Sequence, residues 1–273
     1  MSKFTIGRSI RLSAIFYDQD GEQQEADGTV SVTAVDGLGD VVFTGSATKV
    51  DTVYSVTLEP ILLPTILTVT FSGAFSGITE SVNQHHEVLS GLYADVAQIK
   101  AFDPEALDTG KFTPEQIRTK IFSAQNLFDD YLNQSYVRRF YRDLLNPSCY
   151  GQVQLLNGPE PTIRAVRDAT TGADVTGYTF DKNTLILSGI SEPVVVSYLA
   201  GHQATPEDLV NAFKIYVRDL LLSDRSGIDA RTTSITDGGM TVNFVTESLN
   251  KPTGLPAVDA VLMRYRKTEV FFG

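Results

Sequence analysis

The three histidines are the first side chains to consider as metal ligands or general bases. His85 and His86 are neighbours in an alternating stretch, so on a strand they point to opposite faces, and no Cys, Asp or Glu cluster at ligand spacing accompanies them. His202 lies in a loop before a predicted helix, and the sequence has no Gly-x-Ser-x-Gly motif that would make it a catalytic base. We therefore expect structural histidines and no metal site.

Acidic side chains are the next candidates, because a pair of carboxylates can act as general acid and base. Asp129 and Asp130 are adjacent on a predicted helix and diverge by about 100°, so they do not share a substrate. Solvated faces are expected for both, and for Glu105 and Asp108. Gly37-Leu38-Gly39 lacks the third glycine of a dinucleotide loop, and no Gly-Lys-Ser/Thr triplet occurs. The sequence therefore predicts no enzyme activity, no catalytic residue and no cofactor.

Three arginines in one short segment indicate binding instead of catalysis. If the segment is a helix, Arg138 and Arg142 share one face at i and i+4, where like charges repel, and Arg139 lies beside them. The acidic face of a neighbouring subunit, or DNA phosphate, would compensate this repulsion. A merely solvated basic face is the alternative. All three arginines are candidate partner-binding residues.

The net charge of −11 limits the partners of the chain. Up to Ser90 there are 4 basic and 11 acidic residues, so this part alone has a charge of −7. Tight nucleic-acid binding needs clustered Lys and Arg and is disfavoured. No apolar run approaches a membrane span, no secretory signal is present, and the single cysteine, Cys149, fits a reducing compartment. We expect synthesis in the cytoplasm and no membrane association.

The length of 273 residues suggests about two domains, and the hydrophobic pattern changes near residue 90. Residues 1–89 alternate apolar and polar in six or seven short strands separated by turn signals, for example Ile10, Leu12 and Ala14. This pattern predicts an immunoglobulin-like β-sandwich, although the Cys…Trp…Cys core of antibody domains is absent.

Residues 90–273 follow a mostly helical pattern. A helix is expected to open at Leu92, and Thr113-Pro114-Glu115-Gln116 predicts a capping box and the start of a second helix. An apolar stripe from Ile117 to Tyr131 continues this second helix, and another stripe at helical spacing covers residues 137–145. Strands return at about 151–201, and Thr205-Pro206 is expected to cap a central helix. The extended region 228–273 carries a weak hairpin and a last helix from about Pro256. The fold class is therefore α+β multidomain: a sandwich, then a helical bundle with a small β insertion.

Four features from Gly91 onward resemble, in this order, the head-to-tail connector adaptors of tailed bacteriophages, of the siphophage type. They are a helix at Leu92, a long helix from Thr113-Pro114-Glu115 to Leu132, and strand residues 194–201 running into Thr205-Pro206-Glu207. The last is Asp224-Arg225-Ser226-Gly227 with a glycine-bearing extended stretch, followed by an ending of the form G-x-P-x-x-D-x-x-L at residues 254–262. The resemblance covers about two thirds of the chain, and the sandwich in front is an addition.

The resemblance implies a non-enzymatic head-completion protein in the neck of the virion, assembled in the host cytoplasm. It implies a homo-oligomeric ring, commonly of twelve subunits, that binds the portal protein on one side and a stopper or tail-terminator protein on the other. Genomic DNA would pass through the ring without sequence-specific binding. The alternative is a surface or secreted module that uses the β-sandwich for adhesion. Besides the arginines, the candidate partner-binding residues are Arg231, Met240, Val242, Phe244, Leu255, Tyr265 and Arg266.

Overall fold

The computed structural model of the protein describes residues 2–107, 110–155, 157–226, 234–237, 240–243 and 252–267, and only the backbone of residues 224–226, 234–237 and 240–243. The chain divides into two compact units. The first unit comprises Met1–Gly91 and Arg138–Gly201, and the second comprises Leu92–Val137 and His202–Gly273. The domain boundary predicted at residues 89 and 90 stays a prediction. Within the described chain, residues 138–201 group with the N-terminal strands.

The N-terminal part of the first unit consists of strands. They are β1 (Ser2–Thr5), β2 (Ile10–Ala14), β3 (Phe16–Tyr17), β4 (Gln23–Gln24), β5 (Ser31–Val35), β6 (Val41–Ser46), β7 (Thr48–Val50), β8 (Val53–Leu58), β9 (Thr65–Phe75) and β10 (Ile78–Leu89). One sheet has the strand order β1-β10-β9-β5-β6, a second has β2-β8-β7, and β3 pairs with β4. β1 runs parallel to β10, whereas β9 is antiparallel to both β10 and β5.

Both larger sheets contribute to one apolar core. Leu67, Val69 and Phe71 alternate along β9 and are fully buried, and Ile10 and Leu12 of β2 belong to the same cluster. Full burial of a side chain of this size contributes roughly 1.5–3 kcal/mol. The alternation predicted at Ile10, Leu12 and Ala14 is confirmed, since β2 has the burial order buried, exposed, buried, exposed, buried.

The described helices all lie in the second unit. They are α1 (Val96–Phe102), α2 (Pro114–Leu132), α3 (Glu207–Ser226) and α4 (Pro256–Tyr265). Mixed helices and sheets confirm the α+β class. The predicted capping box of α2 is confirmed: the Thr113 hydroxyl accepts from the Gln116 N–H, and the Gln116 side chain accepts from the Thr113 N–H.

Two helix starts differ from the prediction. The first helix begins at Val96 and not at Leu92, because the Asp95 carboxylate caps it by accepting from the Gln98 N–H. The central helix begins at Glu207, and the Thr205 hydroxyl donates to the Tyr136 carbonyl at 3.3 Å. Local cap chemistry sets the first of these boundaries.

Aromatic side chains join the helices. Phe128 of α2 lies edge-on to Phe213 of α3 with ring centroids 5.2 Å apart, and Phe213 stacks on Tyr93 at 5.2 Å. Tyr216, one turn further along α3, stacks on Phe128 at 5.9 Å. Aromatic pairs in these geometries contribute beyond the area they bury.

Residues 138–201 add two three-stranded sheets to the first unit. The strands are β11 (Arg139–Leu145), β12 (Gln152–Gln154), β13 (Thr162–Asp168), β14 (Tyr178–Asp181), β15 (Thr184–Leu187) and β16 (Val194–Ala200), in the orders β11-β16-β13 and β12-β15-β14. The strands predicted between residues 151 and 201 are confirmed. Their own core contains Leu185, Val196 and Tyr198, each with no exposed surface. After α3, β17 (Ser234–Asp237) pairs with β18 (Met240–Asn243).

The helix predicted over residues 137–145 is wrong. Asn133 ends α2 in the left-handed conformation with φ 51°, and the segment that follows forms β11. β11 pairs antiparallel with β16 along its whole length, with Tyr141 opposite Tyr198. The apolar spacing fits a helix, but pairing with a distant strand outweighs this local preference.

A close contact between Gly37 and Phe140 connects β11 to the N-terminal part of the unit. A Cβ atom at Gly37 would lie 2.4 Å from a carbon of the Phe140 ring. We expect Gly37→Ala to lower the free energy of unfolding by about 1–3 kcal/mol, because the ring must shift from its packed position. Urea denaturation measures the loss.

The matched control is Gly28→Ala, since a Cβ atom at Gly28 meets no atom within 4 Å. Combining Gly37→Ala with Phe140→Leu should recover part of the loss, because the smaller side chain makes room. Equal stability of the Gly37→Ala and Gly28→Ala variants would refute the contact.

Candidate interaction surfaces

Arg139, one of the arginines predicted to bind a partner, forms an ion pair inside the first unit. Its Nε donates to Oε1 of Glu87 at 2.6 Å and its Nη2 donates to Oε2 at 2.8 Å. Lys3 Nζ lies 3.5 Å from the same carboxylate. The exposed fractions of the Arg139 and Glu87 side chains are 20% and 10%. This bidentate geometry makes the pair strong and ties β11 to β10.

The protonation of Glu87 reflects this pair. Burial opposes its ionisation, but the hydrogen bond and charge of Arg139 and the charge of Lys3 outweigh burial and hold the pKa of Glu87 below its ordinary value. Glu87 is therefore ionised at neutral pH, and its charge is compensated within the unit.

The other two arginines differ in their surroundings. Arg138 Nη2 donates to the Thr162 hydroxyl at 2.6 Å and lies 3.4 Å from the Glu160 carbonyl. Arg142 is exposed on β11, opposite Ser197 of β16. They are not neighbours on a helical face, because β11 is a strand. Arg142 has the exposure that a partner contact needs, and so does Leu144 on the same strand, which is 67% exposed.

The predicted residues at the end of α4 contact their own unit. The Tyr265 hydroxyl donates to Oδ1 of Asp208 at 2.7 Å, and Arg264 Nη1 lies 3.0 Å from Oδ2. The hydrogen bond to Asp208, together with burial, raises the pKa of Tyr265. The Arg266 guanidinium lies 4.9 Å from the centre of the Tyr131 ring, a cation–π distance. Tyr265 and Arg266 thus hold α4 to α3 and α2.

The acidic residue of the G-x-P-x-x-D-x-x-L pattern has a structural role. Asp259 is 3% exposed, and its Oδ1 accepts from the Thr253 hydroxyl at 2.7 Å and from the Thr253 N–H at 3.1 Å. The Thr253 hydroxyl accepts from the Leu255 N–H at 3.2 Å, just before α4 begins at Pro256. The pattern therefore fixes the turn that starts α4, and Leu255 is the N-cap residue of that helix.

Asp259→Ala should lower the free energy of unfolding by about 1–3 kcal/mol, because the Thr253 donors then lose their buried acceptor. Asp259→Asn keeps an acceptor oxygen and should lose less. Thermal denaturation followed by circular dichroism compares both variants with Asp130→Ala, a change at an exposed position of α2. Equal melting temperatures for Asp259→Ala and Asp130→Ala would contradict the role of the turn.

Four further candidates lie in or near the β17–β18 ribbon. Met240 and Val242 are in β18, opposite Asp237 and Ile235 of β17. Arg231 and Phe244 lie outside the described residues. The predicted weak hairpin is therefore present as a two-stranded ribbon, and its role in docking stays a prediction.

Asp129 and His202, which the sequence offers as possible acid or base groups, contact aromatic side chains of the second unit. Asp129, expected on a solvated face, is buried and accepts from the Tyr93 hydroxyl at 2.8 Å. The expectation for Asp129 is wrong because it lies four residues after the buried Gln125, on the inner face of α2. His202 stacks on Tyr136 with ring centroids 4.2 Å apart. Asp108 lies outside the described residues.

The first unit also has an apolar groove that the sequence analysis missed. The β6 groove, as we name it, has a volume of about 320 Å³ and is lined mainly by apolar side chains of β6, of residues 60–64 and of Phe140. Its charged lining residues are Asp36, Glu59 and Arg164. Five consecutive apolar or proline residues at 60–64 are the signal in the sequence that indicates this groove.

The described part of the chain has no side-chain cluster for a metal ion and no helix for a membrane span. No group of three or more His, Cys, Asp or Glu side chains there is placed to hold a metal ion. None of the described helices is both long and apolar enough to cross a bilayer.

Several solved structures are similar to the chain. No protein-family model and no curated protein matches the chain. It is similar to a chain in the neck of an empty GTA particle, computed with C6 symmetry, with TM-score 0.45 and 17% identity over 66% of this chain and 93% of that one. It is also similar to a Salmonella alpha-2-macroglobulin mutant, with TM-score 0.26 and 13% identity over 76% of this chain and 12% of the macroglobulin.

Proposed function

We propose that the protein is a structural component of the neck of a tailed phage or phage-like particle, a head-to-tail connector adaptor of siphophage type. It forms a homo-oligomeric ring, of about twelve subunits by the resemblance, between the portal protein and a stopper or tail-terminator protein. Its place is the virion neck, after assembly in the host cytoplasm. It works by assembly and catalyses no reaction.

The observation that carries the proposal is the order of elements along the chain. The capped α2, the strand β16 that leads into α3, the ribbon β17–β18 and the Asp259-fixed α4 follow one another in the order expected of an adaptor. The first helix starts four residues later than expected, at Val96, without changing this order. In this proposal the two N-terminal sheets are an added immunoglobulin-like sandwich, and α1–α4 form the helical bundle.

Exposed apolar side chains support an assembled state. Leu62 is 75% exposed, Leu63 46% and Val42 45%, and all three line the β6 groove. Large apolar groups on a surface mark contact sites with other proteins when they are grouped. The net charge of −11 lets genomic DNA pass the ring without adhering to it, because a negative wall repels phosphate.

Deletion of the gene that encodes this chain tests the proposal. A missing adaptor should leave DNA-filled heads without attached tails, and supplying the chain from a plasmid should restore tailed particles. Electron microscopy of the lysate counts both forms. Tailed, infectious particles in the absence of the chain would refute the proposal.

A further inference from the structure

The β6 groove is open and apolar. Among its lining residues Leu62 is 75% exposed, Leu63 46% and Val42 45%. Three exposed aliphatic side chains around one concave site are costly for an isolated chain, because their apolar surface stays in water. The groove is therefore suited to receive apolar side chains of a partner.

Backbone pairing along β6 does not explain how a partner would be held. β6 is the last strand of its sheet, but its register with β5 shifts: Ala34 is opposite Phe43 and Val35 is opposite Val41, which leaves Val42 as an extra residue. A bulge of this kind interrupts the edge of a sheet and disfavours strand addition. An occupant must be held chiefly by side chains in the groove.

Residues 268–273 have the composition of such an occupant. Their sequence is Thr-Glu-Val-Phe-Phe-Gly, and they lie outside the described residues. They follow the exposed Lys267, whose N–H donates to the Leu132 carbonyl at 2.9 Å. Six extended residues span about 20 Å, enough to lay two phenylalanines into a groove on an adjacent molecule.

The charges of the β6 groove and of residues 267–273 are complementary. Arg164 is exposed and lines the groove, where it can meet Glu269, while Asp36 and Glu59 can meet Lys267. Pairing of opposite charges fixes the direction of a bound segment more than it adds affinity. The direction basic, acidic, apolar along residues 267–272 suits a groove that carries both signs.

We propose that the β6 groove of one copy binds residues 268–273 of a second copy, with Phe271 and Phe272 as its apolar anchors. This inference rests on the proposed function, since a contact between two different surfaces of identical subunits is what closes a ring. The chemistry of the site is recognition of an acidic, doubly aromatic peptide segment.

The test uses a fluorescent peptide with the sequence of residues 267–273 and the full chain carrying Phe271→Ser and Phe272→Ser, whose own segment no longer competes. Fluorescence anisotropy should show saturable binding. Adding Leu62→Asp to that chain should weaken binding about tenfold or more, because a charge then lies in the apolar site. Tyr150→Asp, an exposed aromatic outside the groove lining, is the matched control and should leave binding unchanged.

Light scattering on the full chain then tests whether residues 268–273 bind the groove of a second copy or the groove of their own copy. The mass of the unsubstituted chain should rise with concentration, while Leu62→Asp and the double Phe→Ser variant should each stay monomeric. Failure of the peptide to bind, equal binding to the Leu62→Asp chain, or peptide binding by a chain that is monomeric at all concentrations would overturn the inference. If those results were obtained but the chain still formed rings on the portal, the groove inference would be wrong and the proposed neck function would remain supported.

Discussion

Arg139→Met should lower the free energy of unfolding by about 3 kcal/mol at neutral pH, because it leaves the Glu87 carboxylate buried with Lys3 as its remaining cation. Breaking a buried pair costs about 3–5 kcal/mol, and the lower end applies because Arg139 keeps some contact with solvent. Urea denaturation followed by tyrosine fluorescence measures the change.

Two matched variants make this result specific. Arg142→Met removes an exposed arginine from the same strand and should change stability by less than about 0.5 kcal/mol. Glu87→Gln combined with Arg139→Met removes the unpaired charge and should recover part of the loss. If Arg139→Met and Arg142→Met unfold at the same urea concentration, the pair does not hold the unit together.

The same pair predicts a pH dependence. The pKa of Glu87 is lowered in the folded state from its ordinary value of 4.5, so its contribution to stability is present above pH 4.5 and is lost as the pH falls through the folded-state value. In Arg139→Met the buried Glu87 carboxylate keeps only the weaker compensation by Lys3, so its charge destabilises the folded state. Protonation of Glu87 in acid removes this charge and should reduce the destabilisation. We expect the stability gap between the two proteins to narrow from pH 7 to pH 4 in urea titrations. A gap independent of pH would contradict the assignment.

Phe128→Ala should destabilise the helical unit by about 3–5 kcal/mol. Phe128 has no exposed surface and contacts Tyr93, Phe213 and Tyr216, so its removal leaves a cavity at the centre of the helices. Thermal denaturation followed by circular dichroism at 222 nm reports the loss of helix.

Phe102 supplies the control for this experiment. It lies at the end of α1 and is 40% exposed, so Phe102→Ala should cost less than about 1 kcal/mol. Phe128→Leu fills much of the cavity and should lie between the two. A Phe128→Ala protein as stable as Phe102→Ala would show that the aromatic cluster is not the core of the unit.

Elements specified by neighbouring residues were predictable. α2 was expected to start at Thr113-Pro114 and end at Leu132, and it does so because the cap, the proline at its first position and the apolar stripe lie in one stretch of chain. The hairpin of β14 and β15 was predictable for the same reason, since Asp181-Lys182-Asn183 forms its turn within the same stretch of chain.

Features that depend on distant residues were not predictable. The spacing of residues 137–145 fits a helix, and only the pairing of β11 with β16 makes the segment a strand. The Glu87–Arg139 pair joins residues 52 positions apart, so the arginine looked free for a partner. Asp259 belongs to the G-x-P-x-x-D-x-x-L pattern, but its hydrogen bond with Thr253 is visible only in the structure.

Imaging the purified chain together with the portal protein of the same genome tests the neck function most directly. Electron microscopy should show closed rings of this chain stacked coaxially on one face of the portal, with class averages of about twelvefold symmetry. Portal particles that stay bare while the 29.8 kDa chain remains unassembled beside them would contradict the proposed role in the neck.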